Sequence, residues 1–359
     1  MRGTGIDERY RIEEGDVLDA FALPPDAPIE ATRRIGREGG LTYRIAAPEP
    51  GEIDALFGVL VERGRGALAR PAAERIDAIG RACERFLDPG DPVRAEALRL
   101  LPRYAALSDA GATDVLDAMA SDWTSERLSA LVASEFGDTP PEHRFSRPGP
   151  DPAGRAVRRL ATPSALTLTV CSGTVPGVSV TAAIRSLLVG SGTLLKPGAG
   201  DVVLPLLFAR ALAEVDRELA SALAVVYWPG GEGELEARAL EAADRIVVYG
   251  DGETLRSVRM RANPAATLVE YRHRVGLAVV GVSGRSEPEL VGLAESVTDA
   301  VVPYEQRGCV SPVRIYARGS ADGVRVLGRC LSRALERRER GVTGWRTPEA
   351  GGGARPLAD

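Results

Sequence analysis

Residues 166–196 read LTLTVCSGTVPGVSVTAAIRSLLVGSGTLLK, and this stretch decides the fold. Its two ends, LTLTV (166–170) and GTLLK (192–196), have the composition of β-strands, and residues 181–189 between them form a helical pattern. A strand, a helix and a second strand within about thirty residues are typical of a βαβ unit, which builds a parallel sheet.

The same alternation continues along the chain. Further strands are predicted at 224–228, 245–249, 267–271, 276–282 and 313–317, and further helices at 201–215, 232–243, 253–261, 287–300 and 321–338. Toward the N-terminus, residues 51–136 have helical periodicity, and a strand-like piece at 41–45 precedes them. We therefore predict an α/β fold in which a helical N-terminal region accompanies a parallel sheet.

Composition narrows the class of protein. The 359 residues carry a net charge of −5, which argues against a nucleic-acid partner. No apolar run reaches the roughly 18 residues of a membrane span, and the polar N-terminus lacks the apolar core of a signal peptide. The four cysteines are scattered and there are two histidines, so neither a disulfide framework nor a metal site is predicted. We expect a cytoplasmic protein.

Glycine-bearing turns follow three of the predicted strands, at 172–177, 229–233 and 250–252. The carboxyl ends of parallel strands form the ligand crevice of such a sheet, and glycines there let backbone N–H groups approach a phosphate at a helix N-terminus. The turns therefore indicate a nucleotide site. The full GxGxxG pattern is absent, so glycines that serve only tight turns are an equally good interpretation.

Two side chains stand out by type and position. Lys196 is the only lysine among 45 basic residues, and it ends a predicted strand. Cys309 lies in a polar, glycine-bearing loop, whereas the other three cysteines belong to apolar strand or helix patterns. Arg307, two residues away in sequence, favours a thiolate, so Cys309 is a candidate nucleophile. A loop cysteine with no chemical role fits these local features as well.

Five segments together carry a resemblance to a known family. They are SGTVPG (172–177), GSGTLLKPGAGD (190–201), YWPGG (227–231), VVYGDGET (247–254) and EQRGCVSP (305–312). In order and spacing, over 160–338, they resemble the bacterial-luminescence type of long-chain fatty acyl-CoA reductase, a branch of the aldehyde dehydrogenase superfamily. The resemblance implies an aldehyde dehydrogenase-like α/β fold with a parallel Rossmann-type nucleotide-binding sheet and a truncated catalytic α/β domain.

The resemblance also implies a division of the chain and a reaction. Residues 1–265 would form the N-terminal region and an NADP-binding domain, 266–340 a partial catalytic domain, and 341–359 a disordered tail. Cys309 would be acylated by a fatty acyl-CoA or an acyl-carrier thioester, and NADPH would then reduce the acyl-cysteine to an aldehyde. An acyl-transferring protein partner and a homo-oligomer are further implications.

Site residues follow from the same resemblance. Thr174 stands where the superfamily usually has an asparagine that donates a hydrogen bond to the developing oxyanion. Glu270 and His273 stand in the general-base segment, where either could transfer a proton. The predicted catalytic set is therefore Cys309, His273, Glu270 and Thr174.

The resemblance assigns cofactor contacts as well. They are Lys196, Gly230, Gly250, Gly252 and Thr254. Lys196 matches the lysine that binds the adenosine ribose hydroxyls, and the turn at 250–254 matches the one beneath the pyrophosphate. Ala199 stands where NAD-preferring relatives often have a glutamate. Without that carboxylate a 2′-phosphate is not repelled, so the expected cofactor is NADPH.

Two other functions remain open at this point. The full-length relatives continue beyond the point at which this chain ends, so a non-catalytic nucleotide-binding remnant, or a partner subunit of a reductase complex, is the first alternative. An aldehyde-oxidising dehydrogenase is the second. It would hydrolyse the acyl-cysteine and would need Glu270 or His273 as the base.

Overall fold

The computed structural model describes residues 13–14, 17–36, 41–137, 145, 149–150, 152–158, 160–231 and 233–341. The tail predicted from residue 341 onward lies outside these residues, except for Gly341 itself.

The described chain begins with short strands, continues through five helices and then alternates strands and helices. The strands are β1 (Glu13–Glu14), β2 (Val17–Asp19), β3 (Phe21–Ala22), β4 (Thr32–Gly36), β5 (Thr42–Ala46), β6 (Gly149–Pro150), β7 (Ala156–Val157), β8 (Leu166–Val170), β9 (Gly192–Lys196), β10 (Leu223–Val226), β11 (Arg245–Gly250), β12 (Thr267–Arg272), β13 (Gly276–Gly281) and β14 (Pro312–Arg318). The helices are α1 (Pro50–Ala69), α2 (Ala72–Glu84), α3 (Pro92–Tyr104), α4 (Asp109–Ser121), α5 (Ser125–Phe136), α6 (Val178–Leu188), α7 (Val203–Val215), α8 (Arg217–Ala220), α9 (Gly233–Ala242), α10 (Gly252–Arg261), α11 (Glu287–Val301) and α12 (Ala321–Gly341). A short 3₁₀-like turn covers Pro303–Gln306, and its residues Tyr304 and Glu305 have left-handed φ angles. We call this segment the 3₁₀ helix.

A six-stranded sheet lies at the centre of the molecule. Its strand order is β12-β11-β8-β9-β10-β3. The five strands from β12 to β10 are mutually parallel, and β3 closes the far edge antiparallel to β10. The order reverses direction at β8, where the chain passes first to β9 and later to β11, and such a switch point is where α/β sheets bind ligands. The predicted parallel sheet is confirmed.

Helix α6 begins three residues before its predicted start. Gly177 adopts a left-handed φ of 95°, which turns the chain directly into the helix. The carboxylate of Asp201 then accepts the backbone N–H groups of Gly177 and Ser179 and so satisfies the open donors of this helix end. A side chain 22 to 24 residues away therefore sets the helix boundary, which local periodicity does not report.

Each face of the central sheet carries its own apolar core. One core joins α6 and α7 to helices α2–α5 and includes Phe86, Trp123 and Phe208. The other core joins α1, α9 and α10 to the sheet and includes Leu56 and Leu240. The N-terminal helices thus pack as one body with the sheet, and the indole N–H of Trp123 hydrogen-bonds to a hydroxyl on α6 at 2.9 Å.

A smaller unit follows the central sheet. Strands β13 and β14 form a parallel pair that packs on α11 and α12 around Val282 and Leu327. Strand β12 belongs to the central sheet, so that sheet runs past the domain boundary predicted between 265 and 266. The other face of the β13–β14 pair leaves Leu277, Val279 and Tyr316 exposed.

None of the helices within the described ranges combines the length and the apolar character that crossing a bilayer demands. In that same part of the chain, no three side chains of the metal-binding types His, Cys, Asp and Glu are grouped so that they could hold an ion.

Candidate active site

Lys196 lies at the carboxyl end of β9, close to the switch point of the sheet. Its ammonium group is mostly buried, and Nζ is 5.9 Å from the ring centres of both Tyr227 and Trp228. Burial lowers the pKa of Lys196, and the negative charge of Glu236 opposes that shift. Among the described residues no carboxylate lies within 4 Å of Nζ, so this cation keeps hydrogen-bonding capacity for a ligand.

Glu236 is a second buried charge beside this lysine. Its carboxylate accepts the indole N–H of Trp228 at 2.9 Å and the backbone N–H of Gly231 at 3.2 Å, and it pairs with Arg261. These bonds hold the turn after β10 against α9. The sequence analysis did not single out Glu236, because nothing local shows that it faces inward.

The turn at 172–177 and the turn at 197–200, which follows Lys196, contact each other through their backbones. A Cβ at Gly198 would overlap the backbone nitrogen of Gly173, and a Cβ at Gly173 would lie 2.5 Å from the nitrogen of Gly200. The hydroxyl of Tyr43, which lies on β5, donates to the carbonyl of Ala199 at 2.7 Å and so holds the turn at 197–200 in place. These glycines are thus explained by close packing.

Thr174 lies on the exposed side of its turn. Its hydroxyl donates to the hydroxyl of Ser172 at 3.3 Å. Asp201 supports the turn from below: burial raises the pKa of this carboxyl group to about 7, against the hydrogen bonds from the N–H groups of Gly177 and Ser179. Asp201 is a residue that the sequence analysis missed.

The turn after β11 departs from a simple phosphate site. Asp251 caps α10 by accepting the backbone N–H of Thr254 at 2.8 Å, and this hydrogen bond lowers the pKa of Asp251. Gly250 packs against the Thr254 side chain, where a Cβ would lie 2.8 Å from Cγ2, whereas Gly230 and Gly252 border open space. The helix end already holds a carboxylate, which disfavours a phosphate in the same place.

Cys309 is exposed in the turn between the 3₁₀ helix and β14. A Cβ at Gly276, the first residue of β13, would lie 3.2 Å from the carbonyl oxygen of Cys309, so β13 packs directly under this turn. The other three cysteines are buried, and burial raises the pKa of Cys171 to about 12. Among the four thiols, that of Cys309 is the accessible one.

Tyr304 connects the Cys309 turn with the Thr174 turn. Its ring covers Gly308, where a Cβ would lie 2.7 Å from Cδ2, and its hydroxyl contacts the sulfur of Met119 at 3.6 Å. The Met119 side chain in turn packs against Gly177. Burial raises the pKa of Tyr304, and the charges of Asp122 and Cys309 add to this effect. One contact chain thus brings the two turns together across 130 residues of sequence.

Glu270 lies on β12, where arginines take up its carboxylate. Both oxygens pair with Arg259, one also pairs with Arg272 at 3.2 Å, and these hydrogen bonds lower the pKa of Glu270. His273 is exposed just beyond β12, and its backbone N–H donates to the carbonyl of Gly250 at 3.1 Å. The structure thus places His273 beside the turn that carries the predicted cofactor contacts.

The chain can now be compared with known proteins. The family model described as acyl-CoA reductase (LuxC) matches residues 69–343, which is most of the chain. This chain belongs to the LuxC family of acyl-CoA reductases. The family predicted from the five sequence segments is confirmed.

Curated relatives of this LuxC-family chain are distant. It is 22% identical over 162 residues to a long-chain acyl-protein thioester reductase of Aliivibrio fischeri, and 20% identical over 164 residues to long-chain acyl-protein thioester reductase 2 of Photobacterium leiognathi. The matches cover 44% and 45% of this chain, but only 33% and 34% of the relatives. The LuxC-family chain therefore matches about a third of the length of these proteins.

Solved structures identify the fold of the LuxC-family chain. An NAD-dependent benzaldehyde dehydrogenase from Corynebacterium glutamicum superposes with a TM-score of 0.64 at 18% identity, over 88% of this chain and 65% of that one. An NADP-dependent glyceraldehyde-3-phosphate dehydrogenase from Bacillus halodurans C-125 superposes with a TM-score of 0.65 at 15% identity, over 86% of this chain and 62% of that one. The predicted aldehyde dehydrogenase-like fold is confirmed.

A cavity of about 550 Å³ lies next to the Cys309 turn of this LuxC-family chain. It opens between α4, α11, α12 and the 3₁₀ helix, and Tyr304 forms part of its wall. Its lining is mixed. Apolar side chains come from Val115, Ala118, Val302, Pro303 and Leu335, and charged side chains come from Asp114, Asp299, Glu305 and Arg338. Its size falls within the range of small-molecule sites.

Proposed function

We propose that this chain reduces an acyl thioester to an aldehyde through an acyl-Cys309 intermediate. The observation that carries the proposal is the contact chain from Gly308 through Tyr304 and Met119 to Gly177. It joins the segment that carries an accessible thiol, through two intervening side chains, to the turn that follows β8. A nucleophile at the edge where such sheets bind ligands is the arrangement that the reaction needs.

The covalent steps need the Cys309 thiol, the acyl thioester and an external hydride. The Cys309 thiolate attacks the thioester carbonyl and forms a new C–S bond, the C–S bond to the carrier breaks, and the carrier thiolate leaves and takes up a proton. The Thr174 hydroxyl and backbone N–H groups of the Cys309 turn would donate to the oxyanion. A nicotinamide supplies a hydride to the acyl carbon when it is bound. Collapse of the thiohemiacetal then releases the aldehyde and restores the thiol.

We assign the proton transfer to His273 rather than to Glu270. Arg259 and Arg272 lower the pKa of Glu270. A lower pKa makes the Glu270 carboxylate a weaker base. Hydrolysis of an acyl-cysteine needs a base, whereas reduction needs none to activate water. The arginine pairing of Glu270 therefore leaves His273 as the base that the aldehyde-oxidising alternative would need.

The Lys196 pocket fits the adenosine half of a nicotinamide dinucleotide. A buried ammonium group without a carboxylate partner is suited to the ribose hydroxyls, and the two neighbouring rings are suited to a flat base. We propose NADPH because Ala199 brings no carboxylate that would repel a 2′-phosphate. Gly230 and Gly252 leave room for the ligand, whereas Gly250 and Thr254 pack on each other.

We place the acyl chain in the cavity beside Tyr304, since the cavity borders the segment that leads to Cys309 and apolar side chains form part of its lining. A long-chain acyl group on CoA or on a carrier protein is the proposed substrate class. The four free cysteines fit a reducing compartment, so we propose a cytoplasmic location.

A second candidate function is that of a partner subunit. The open face of the β13–β14 pair exposes Leu277, Val279 and Tyr316, and two strands rarely form a stable sheet alone. Either a second copy of this chain or an acyl-transferring protein would cover this face. In that case nucleotide binding would persist without acylation of Cys309.

Intact-protein mass spectrometry tests the proposal. The purified chain and its Cys309→Ala variant are each mixed with long-chain acyl-CoA. We expect an acyl adduct on the first protein alone, labile to hydroxylamine, and its discharge as aldehyde on addition of NADPH. Folded protein without an adduct at several chain lengths would overturn the proposal and favour the partner subunit.

A further inference from the structure

Two charged side chains of the thiol-bearing loop reach back to the junction between α3 and α4. The carboxylate of Glu305 accepts the backbone N–H of Ser108, the N-cap residue of α4, at 2.8 Å. The guanidinium of Arg307 donates to the carbonyls of Ala105 (2.7 Å) and Ala106 (3.0 Å), just past the end of α3. An anion thus meets a helix N-terminus and a cation meets a helix C-terminus, and both arrangements are favourable. We call Glu305 and Arg307 the clip.

The junction is shaped to receive the clip. A Cβ at Gly111 would lie 2.6 Å from the carboxylate oxygen of Glu305, so only glycine leaves room for it there. The two clip side chains are mostly buried and pair with each other at 3.4 Å. Together they join segments of the chain that lie about two hundred residues apart.

Glu305 of the clip lies in a segment of left-handed backbone. Tyr304, Glu305 and Gln306 have φ angles of 57°, 50° and 63°, so three consecutive non-glycine residues are left-handed. L-residues adopt this conformation only where their surroundings enforce it, and such segments occur often at active sites. The chain reaches Cys309 three residues later, so the direction of this segment sets where the thiol lies.

We propose that Glu305 and Arg307 are positioning residues that hold Cys309 in place for attack on the acyl thioester. The N-terminal helices α3 and α4 thereby become part of the catalytic apparatus. The inference rests on the proposed function. Because Arg307 donates N–H groups to two backbone carbonyls, it holds the position of the loop, a role that its place in the sequence alone did not suggest.

Kinetics of clip variants test the proposal. Glu305→Ala and Arg307→Ala should lower kcat by about 10- to 100-fold, since small displacements of a nucleophile have effects of this size. Arg307, unlike Glu305, does not line the cavity assigned to the acyl chain, so Arg307→Ala should leave KM for acyl-CoA nearly unchanged. Glu305→Gln keeps an oxygen for the N–H of Ser108 and should recover most of the rate. The double variant should lose no more than the worse single variant, because the two side chains act as one unit.

Matched controls separate positioning from general loss of stability. Glu289 caps α11 by accepting the N–H of Ser286 at 2.7 Å, and Arg285 donates to the carbonyl of Gly281 at 2.8 Å, as the clip residues do elsewhere. Glu289→Ala and Arg285→Ala should keep the wild-type kcat. Equal losses in these controls, or wild-type kcat in the clip variants, would overturn the proposal.

Alkylation of Cys309 by iodoacetamide gives a readout that needs no acyl substrate. A released loop should react with this small electrophile about tenfold faster, while acylation by acyl-CoA slows. If the wild-type protein takes no acyl group, the proposed function fails, and the alkylation comparison still decides whether the clip restrains Cys309. An unchanged alkylation rate in the clip variants would then overturn the inference.

Discussion

The carboxylate of Asp201 accepts the backbone N–H of Gly177 at 2.7 Å and so caps helix α6 from the neighbouring strand connection. Burial raises the pKa of this carboxyl group to about 7 in the folded chain, whereas an unfolded chain titrates it near 4. The folded state therefore holds this proton over a pH range in which the unfolded state has released it. Its contribution to stability is complete below pH 4 and is lost as the pH rises toward 7.

Asp201→Asn should remove this pH dependence. Between pH 5 and pH 7 the free energy of unfolding of the wild-type chain should fall relative to the variant by about 2 to 3 kcal/mol, at 1.36 kcal/mol per pKa unit. Urea unfolding at several pH values measures the difference, and all other titrating groups cancel between the two proteins. Parallel stability curves would contradict the buried titration.

Lys196→Met should weaken cofactor binding without disturbing the fold. Methionine fills similar space and removes a buried charge that has no carboxylate partner within 4 Å among the described residues, so stability should hold or rise. The Kd for NADPH should rise at least tenfold, as hydrogen bonds from a cation to ribose are lost. Fluorescence titration measures the Kd, and an unchanged Kd would remove Lys196 from the cofactor site.

Ala199→Glu should reverse the preference between cofactors. A carboxylate at this position would repel a 2′-phosphate and accept ribose hydroxyls, so NADPH should bind at least tenfold more weakly and NADH more tightly. Ala199→Gln is the matched control, since it adds the same bulk without charge. Equal effects of both variants would show that size, not charge, governs this position.

Gly198→Ala should destabilise the protein, because its Cβ would overlap backbone atoms of Gly173 that no side-chain rotation can move away. We expect a loss of about 1 to 3 kcal/mol in the free energy of unfolding, as for other overpacked sites. Gly230→Ala, where a Cβ meets nothing within 4 Å, should change stability by no more than about 0.5 kcal/mol. Urea unfolding compares the two, and similar midpoints would contradict the close packing.

Local patterns predicted the strands well. β8 and β9 begin and end where expected, since each is an apolar run set off by glycine or other turn residues. β12 was expected as a strand but not as the edge of the central sheet, because a periodic pattern does not say which neighbour a strand will choose.

The candidate site was only partly predictable. Cys309 and Lys196 were recognisable from their residue types and from the matching segments. Asp201, Glu236 and Glu305 were not, because each acts through a partner that the fold alone brings near, such as Ser108 for Glu305. The arginines around Glu270 were visible in the sequence, but their geometry was not.

The two edges of the central sheet show how this chain avoids pairing with other molecules. One edge is formed by β10, which β3 covers by antiparallel pairing. Because β3 precedes β10 in the chain, this pairing can form only after β10 has been synthesised. At the opposite edge β12 has no such cover among the described residues, but it carries Glu270 and Arg272, and charges on an edge strand discourage strand addition. The ion pairs of Glu270 with Arg259 and Arg272, which lower its pKa, therefore also oppose aggregation through this edge.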